Sequence, residues 1–210
     1  MQVVVLASQK GGTGKSTLSA SLAVAAREDG ETVVIVDLDP QRSLADWHRV
    51  RTANDIVLRA MPSAELDEWI VQAHQVPGLS LLVIDTAGAS EPGIDVALRN
   101  ADFCLVPVRP SAFDLRAAGP TVQRVSALGR RFAFVLNAVS AVAQARTRDA
   151  IVALEITDLV APTIGDRVDF RDAVALGLGV TEVAPSGKGA AEIRSLWNWT
   201  KKQMKGQTRG

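Results

Sequence analysis

Apolar positions along this chain follow two alternating rhythms. Short β-branched runs, apolar at successive positions, fall at VVVLA (3–7), TVVIVD (32–37), IVLRAM (56–61), LSLLVID (79–85), 102–108, RFAFVLNAV (131–139) and LVAPTI (159–164). Between them lie longer stretches with helical spacing: 15–28, where Leu18, Leu22, Ala25 and Ala26 share a face, then 43–50, 64–74, 92–100, 112–127, 145–156, 167–176 and 189–205. Gly119 and Pro120 predict a kink or break inside 112–127. Strands apolar on both faces and separated by helices imply a mostly parallel, twisted sheet covered on both sides, an α/β fold. In such sheets ligands bind beyond the carboxyl ends of the strands. Three polar clusters follow strands there: SQKGGTGKST (8–17), DLDPQ and DTAG.

The first cluster has the chemistry of a phosphate loop. Gly11, Gly12 and Gly14 let backbone N–H groups approach an anion closely, with Thr13 among them. Lys15 can reach β- and γ-phosphates, the Ser16 hydroxyl can ligate Mg²⁺, and the helix beginning there with Thr17 turns its positive dipole end on the same point. The usual G-x-x-x-x-G-K-[ST] form would put glycine where this chain has Gln9, and Lys10 is a second lysine that one phosphate site does not require. Alternation along the second strand puts Asp37 and Asp39 on one side. Asp85 ends an apolar run, as a Walker B carboxylate does.

KGGTGKST is similar to the deviant Walker A motif of the ParA/MinD ATPases, P-loop NTPases that use ATP and Mg²⁺. The resemblance extends over nearly the whole chain. DPQRSLADW, PVRPSAFDLRAAG and GKGAAEI resemble the short plasmid-type ParA partition proteins more than MinD, and Ser8 departs from the asparagine of many relatives. The resemblance implies that Lys10 crosses to a partner subunit and touches its nucleotide phosphates, giving a homodimer with ATP in the interface. It also implies that Asp39 positions the hydrolytic water and that Asp37 and Asp85 lie at the metal. Asn137 stands where related ATPases place an asparagine that reads the adenine edge, or is a strand-end turn former. The segment around Pro107 resembles one beside the nucleotide, or is a stiff loop.

Net charge is zero, but its distribution is uneven. From Lys188 onward stand six basic residues (Lys188, Arg194, Lys201, Lys202, Lys205 and Arg209) against one acid, Glu192. Ile193, Leu196, Trp197, Thr200 and Met204 form a stripe that docks this last helix, leaving the basic residues for a solvated face, a DNA-backbone contact or a membrane surface. Trp199, opposite Trp197, is the feature that favours a membrane. The expected reading is one domain over 1–210 with no N-terminal helix-turn-helix, cytoplasmic and nucleoid-associated. It would be an ATP hydrolase that binds nonspecific DNA as a dimer and is stimulated by a ParB-like or small centromere-binding partner. A MinD-like membrane-positioning protein is the alternative. An electron carrier of the nitrogenase-reductase kind needs cluster cysteines, and this chain has Cys104 alone. His48, His74, Trp47 and Trp69 read as ordinary helix residues.

Overall fold

The computed structural model describes residues 1–88, 93–142, 144–155 and 158–206. Arg209 and the predicted helix margins at 92 and 156 lie outside them. Six strands, β1 (Gln2–Leu6), β2 (Val33–Asp37), β3 (Val57–Ala60), β4 (Leu81–Asp85), β5 (Phe103–Val108) and β6 (Phe132–Leu136), form one sheet in the order β3-β2-β4-β1-β5-β6. Every pairing is parallel. Parallel neighbours need crossovers, and helices supply them on both faces. Alternate residues of β1 show the consequence: Val4 and Leu6 enter one core, Val3 and Val5 the other.

One face carries α1 (Lys15–Glu28), α2 (Ser43–Val50), α7 (Val168–Ala175), α8 (Val180–Val183) and α9 (Lys188–Lys205). The other carries α3 (Leu66–Ala73), α4 (Gly93–Arg99), α5 (Ala112–Ala127) and α6 (Gln144–Glu155). The predicted docking stripe of α9 is buried in full, with Trp197 donating from Nε1 to Asp29 at 2.9 Å. Trp199 is not exposed as expected. It stands edge-on to Phe103, with ring centroids 5.7 Å apart.

Two local expectations are corrected. α5 is continuous through Pro120, so the predicted break does not occur. Pro120 still forgoes the bond to the Arg116 carbonyl, but its ring meets no Cβ on the residue before it, which is Gly119. The predicted seventh strand at 159–164 is not a strand. It makes isolated bridges to the β6 side, Phe134 with Val160 and Val139 with Gly165. The bonds Ala161 N–H to Phe134 O and Ile164 N–H to Leu136 O advance three residues here against two on β6, and the extra residue breaks the ladder. α8 had no periodic signal because it is four residues long.

Candidate nucleotide site

Strand β1 lies between β4 and β5, so the loop after it opens at the middle of the sheet's carboxyl edge. Gly12 and Gly14 hold φ of 74° and 91°, left-handed values that glycine adopts without strain. Gly14 is the N-cap of α1, whose first turn holds no acid, so the helix presents an uncompensated positive end. The cleft in front of it is about 630 Å³. Gly11, Gly12, Gly14, Lys15, Ser16 and Thr17 line one side, with Asp39 and Gly88 opposite. A Cβ on Gly88 would come within 3.2 Å of the Gly11 backbone, so a side chain here would push the two loops apart by a few tenths of an ångström. Beyond the loop the cleft gains an apolar wall of Leu44, Trp47 and Val174. Trp47, read from sequence as a plain packing residue, is thus also a cleft residue. Its indole donates to Leu178 O at 3.0 Å.

Three carboxylates gather at the same edge. Asp37 and Asp85 are register partners across β2 and β4. Asp85 is fully buried and accepts from Ser16 Oγ at 2.6 Å and from Ser19 Oγ at 3.4 Å. Burial pushes its pKa up to about 7, against the pull of Ser16 and Lys15. Burial also raises Asp37, although its oxygens accept from the backbone N–H of Asp39 (3.0 Å) and Ala45 (3.2 Å). The second of these contacts caps α2, whose own N-cap, Arg42, makes no side-chain bond. Asp39 is half-buried and accepts from the Gln41 N–H at 2.9 Å. Lys15 is buried, and that burial lowers its pKa while Asp85 and Asp39 partly offset the shift. The donor set, one hydroxyl with neighbouring carboxylate oxygens beside a cationic anion cradle, fits Mg²⁺ arriving with phosphates.

Lys10 does not join this cluster. Its ammonium pairs with Asp114 in the first turn of α5. Asp114 is held in turn by Ser111, whose Oγ also accepts from the Asp114 N–H at 3.1 Å. Ser111, Asp114 and Thr121, whose Oγ1 accepts from the Gln9 N–H at 3.2 Å, support the loop from α5 and were not singled out in the sequence. The S-A-F-D spacing of a capping box was the available signal for the first two. Asn137, at the end of β6, donates from Nδ2 to Thr13 O at 2.7 Å. Pro107 is buried within β5, opposite Val135 and past the point where β1 stops pairing, so its missing N–H breaks no ladder bond to β1.

The basic residues of α9 divide into two groups. Lys201 lies between Asp29 (2.6 Å) and Glu31 (2.7 Å), and Arg194 donates to Pro185 O at 2.6 Å with Glu28 3.5 Å away. Lys188, Lys202 and Lys205 have exposed side chains. Among the described residues no helix is long and apolar enough to cross a membrane. Cys104 is buried, which pushes its thiol up to about 12.

A glycine loop between a central parallel strand and a helix N-terminus, with Gly-Lys-Ser at the helix and a neighbouring strand ending in aspartate, defines a P-loop nucleotide-binding domain. Residues 4–180 match the family model described as the CobQ/CobB/MinD/ParA nucleotide binding domain, and the chain belongs to that family. It is 33% identical over 128 residues to Protein ParA of Rhizobium radiobacter, covering 60% of this chain and 57% of that one. It is 27% identical over 209 residues to maintenance of carboxysome distribution protein A of Halothiobacillus neapolitanus, covering 93% and 94%. The chain thus spans little more than half of the ParA relative and nearly all of the carboxysome protein. Among solved structures, the septum site-determining protein MinD of Pyrococcus horikoshii, complexed with Mg-ADP, shares the fold with a TM-score of 0.81 at 18% identity, covering 100% and 99% of the two chains.

Proposed function

We propose that this protein is a ParA-type partition ATPase acting in the cytoplasm on the nucleoid. It binds Mg·ATP, dimerises with the nucleotide in the interface and then holds nonspecific DNA. A ParB-like or small centromere-binding partner stimulates hydrolysis and releases it. The chain works as one domain, and its cargo is a plasmid, a chromosome region or a protein assembly. The observation that carries this reading is the division of labour between the two loop lysines. Lys15 is buried against the carboxylates of its own cleft, whereas Lys10 is turned to α5 with its side chain 43% exposed. A cation set outside its own phosphate site can serve a neighbour's once it leaves Asp114. Relatives named ParA and Soj support the partition reading, and the packing of Trp199 against Phe103 removes what favoured a membrane.

The residues divide the chemistry as follows. Backbone N–H groups of Gly11 to Ser16 and the Lys15 ammonium bind and orient the triphosphate. Ser16 and Asp85, with Asp37 behind them, would hold Mg²⁺. The bound ion supplies charge neutralisation on the phosphate oxygens. Asp39, half-buried at the cleft wall, orients the attacking water. Lys10 of each subunit adds positive charge at the neighbour's phosphates, where an interface excludes water and strengthens it. Sedimentation tests the whole reading: a nonhydrolysable ATP analogue gives dimers that co-sediment with DNA, and ADP gives monomers that do not. Monomers in both nucleotides, or DNA retention indifferent to nucleotide, overturn it.

A further inference from the structure

We infer that Asn137 is a positioning residue for the phosphate loop, its Nδ2 setting the direction of a phosphate-binding amide whatever its Oδ1 does at a base; this rests on the nucleotide site proposed above. The Asn137 side chain is nearly buried and its Nδ2 donates to the Thr13 carbonyl at 2.7 Å. That carbonyl belongs to the Thr13–Gly14 peptide. A trans peptide is planar, so its N–H points opposite to its C=O, and no cis bond occurs among the described residues. Fixing the Thr13 oxygen toward β6 therefore turns the Gly14 N–H away from Asn137, and Gly14 lines the cleft.

Three further features serve the same contact. Gly14 must lack a Cβ, since one would stand 2.2 Å from Asn137 Nδ2, closer than any real contact. Ala138 is held at φ 53°, one of two non-glycine left-handed residues among those described. An alanine there costs about 1 kcal/mol against glycine, so the turn after Asn137 persists against a local preference. Backbone bonds pin it on both sides: Asn137 N–H to Val108 O at 2.8 Å and Val139 N–H to Ile164 O at 3.0 Å. β6 is thereby bolted to the loop after β1, although β5 lies between them in the sheet.

A brace and a base reader differ in which ligands they affect. Removing a brace weakens everything held by the phosphate loop, whereas removing a reader weakens only ligands with the base. The experiment is competition binding of Mg·ATP and of Mg·tripolyphosphate, which has no base, to wild type, Asn137→Ala and Asn137→Asp. Asn137→Ala should weaken Mg·tripolyphosphate about 10-fold, for a lost buried hydrogen bond that leaves a carbonyl unpaired, and Mg·ATP at least as much. Asn137→Asp, which sets a carboxylate oxygen against that carbonyl, should weaken both further. Melting temperatures without nucleotide establish that each variant is folded, and Asn137→Ser serves if Asn137→Ala is not. A loss confined to Mg·ATP, or no loss in any folded variant, overturns the brace. Failure of the wild type to bind Mg·ATP overturns the site itself.

Discussion

In the ATP dimer proposed above, the Lys10–Asp114 pair would set a threshold for dimerisation, and Asp114→Asn should lower it. In the monomer Lys10 is engaged on its own α5, so it must leave Asp114 before it can serve a partner. The side chains are 43% and 9% exposed, so the pair is neither dry nor fully screened. Unit charges at contact distance attract by about 5 kcal/mol at an effective dielectric of 20. Solvent on the lysine side, desolvation of the aspartate and lysine entropy reduce that to a net of about 1 kcal/mol, the upper end for exposed pairs. Two such pairs open per dimer, so the variant's dimer Kd should fall roughly 25-fold. The asparagine keeps an oxygen for the Ser111 hydroxyl, so the start of α5 stays capped. The assay is sedimentation velocity over a concentration series with a saturating nonhydrolysable ATP analogue. A dimer Kd for Asp114→Asn equal to or weaker than wild type refutes the reasoning. So would any gain from Asp114→Asn in a Lys10→Ala background, where the contact no longer exists.

The remaining predictions concern the carboxylates and the basic helix. Burial raises Asp85 to about 7 from an ordinary 3.8, so the folded state keeps a proton that the unfolded chain has released. Its contribution is full below about pH 4 and is lost as pH rises through 7. The urea midpoint of nucleotide-free wild type should therefore decline between pH 5 and 8, and that of Asp85→Asn should decline less; parallel curves contradict this. Asp39→Ala should bind ATP and dimerise yet release phosphate at least about 100-fold more slowly, leaving a DNA-bound form that a coupled phosphate assay and co-sedimentation identify together. Lys188→Ala with Lys202→Ala should reduce the slope of log affinity for DNA against log salt by about 1.8 per subunit. Lys201→Ala should leave that slope unchanged, because its ammonium already lies between Asp29 and Glu31.

The fold was legible because its strands are buried on both faces and so read as continuous apolar runs, and because α1 and α9 carry clear one-sided stripes. The phosphate loop and the three aspartates were legible because each follows its strand directly in sequence. What spacing could not supply were contacts between distant segments. Asp114 stands more than a hundred residues from Lys10, and Thr13 is as far from Asn137; only the placing of β5 and β6 beside β1 brings them together. The same limit explains α9. Its basic residues could be counted, but the acids at the end of α1 that engage Lys201 and Arg194 become visible only once the two helices pack. Pro120 was judged by its usual effect. Gly119 eased that effect, and a one-residue slip of register between Ala161 and Ile164 ended the seventh strand.

The central claim, that Lys10 serves the neighbouring subunit's nucleotide, is tested most directly by mixing two inactive variants. Lys15→Ala cannot bind nucleotide but keeps Lys10, whereas Lys10→Ala binds nucleotide but lacks the second cation. Partner-stimulated ATP hydrolysis should be absent from each alone and should reappear in the mixture, where the Lys15→Ala subunit lends its Lys10 to the site of the other. A mixture that stays inactive while forming mixed dimers, or a Lys10→Ala protein that hydrolyses ATP unaided, would contradict the account.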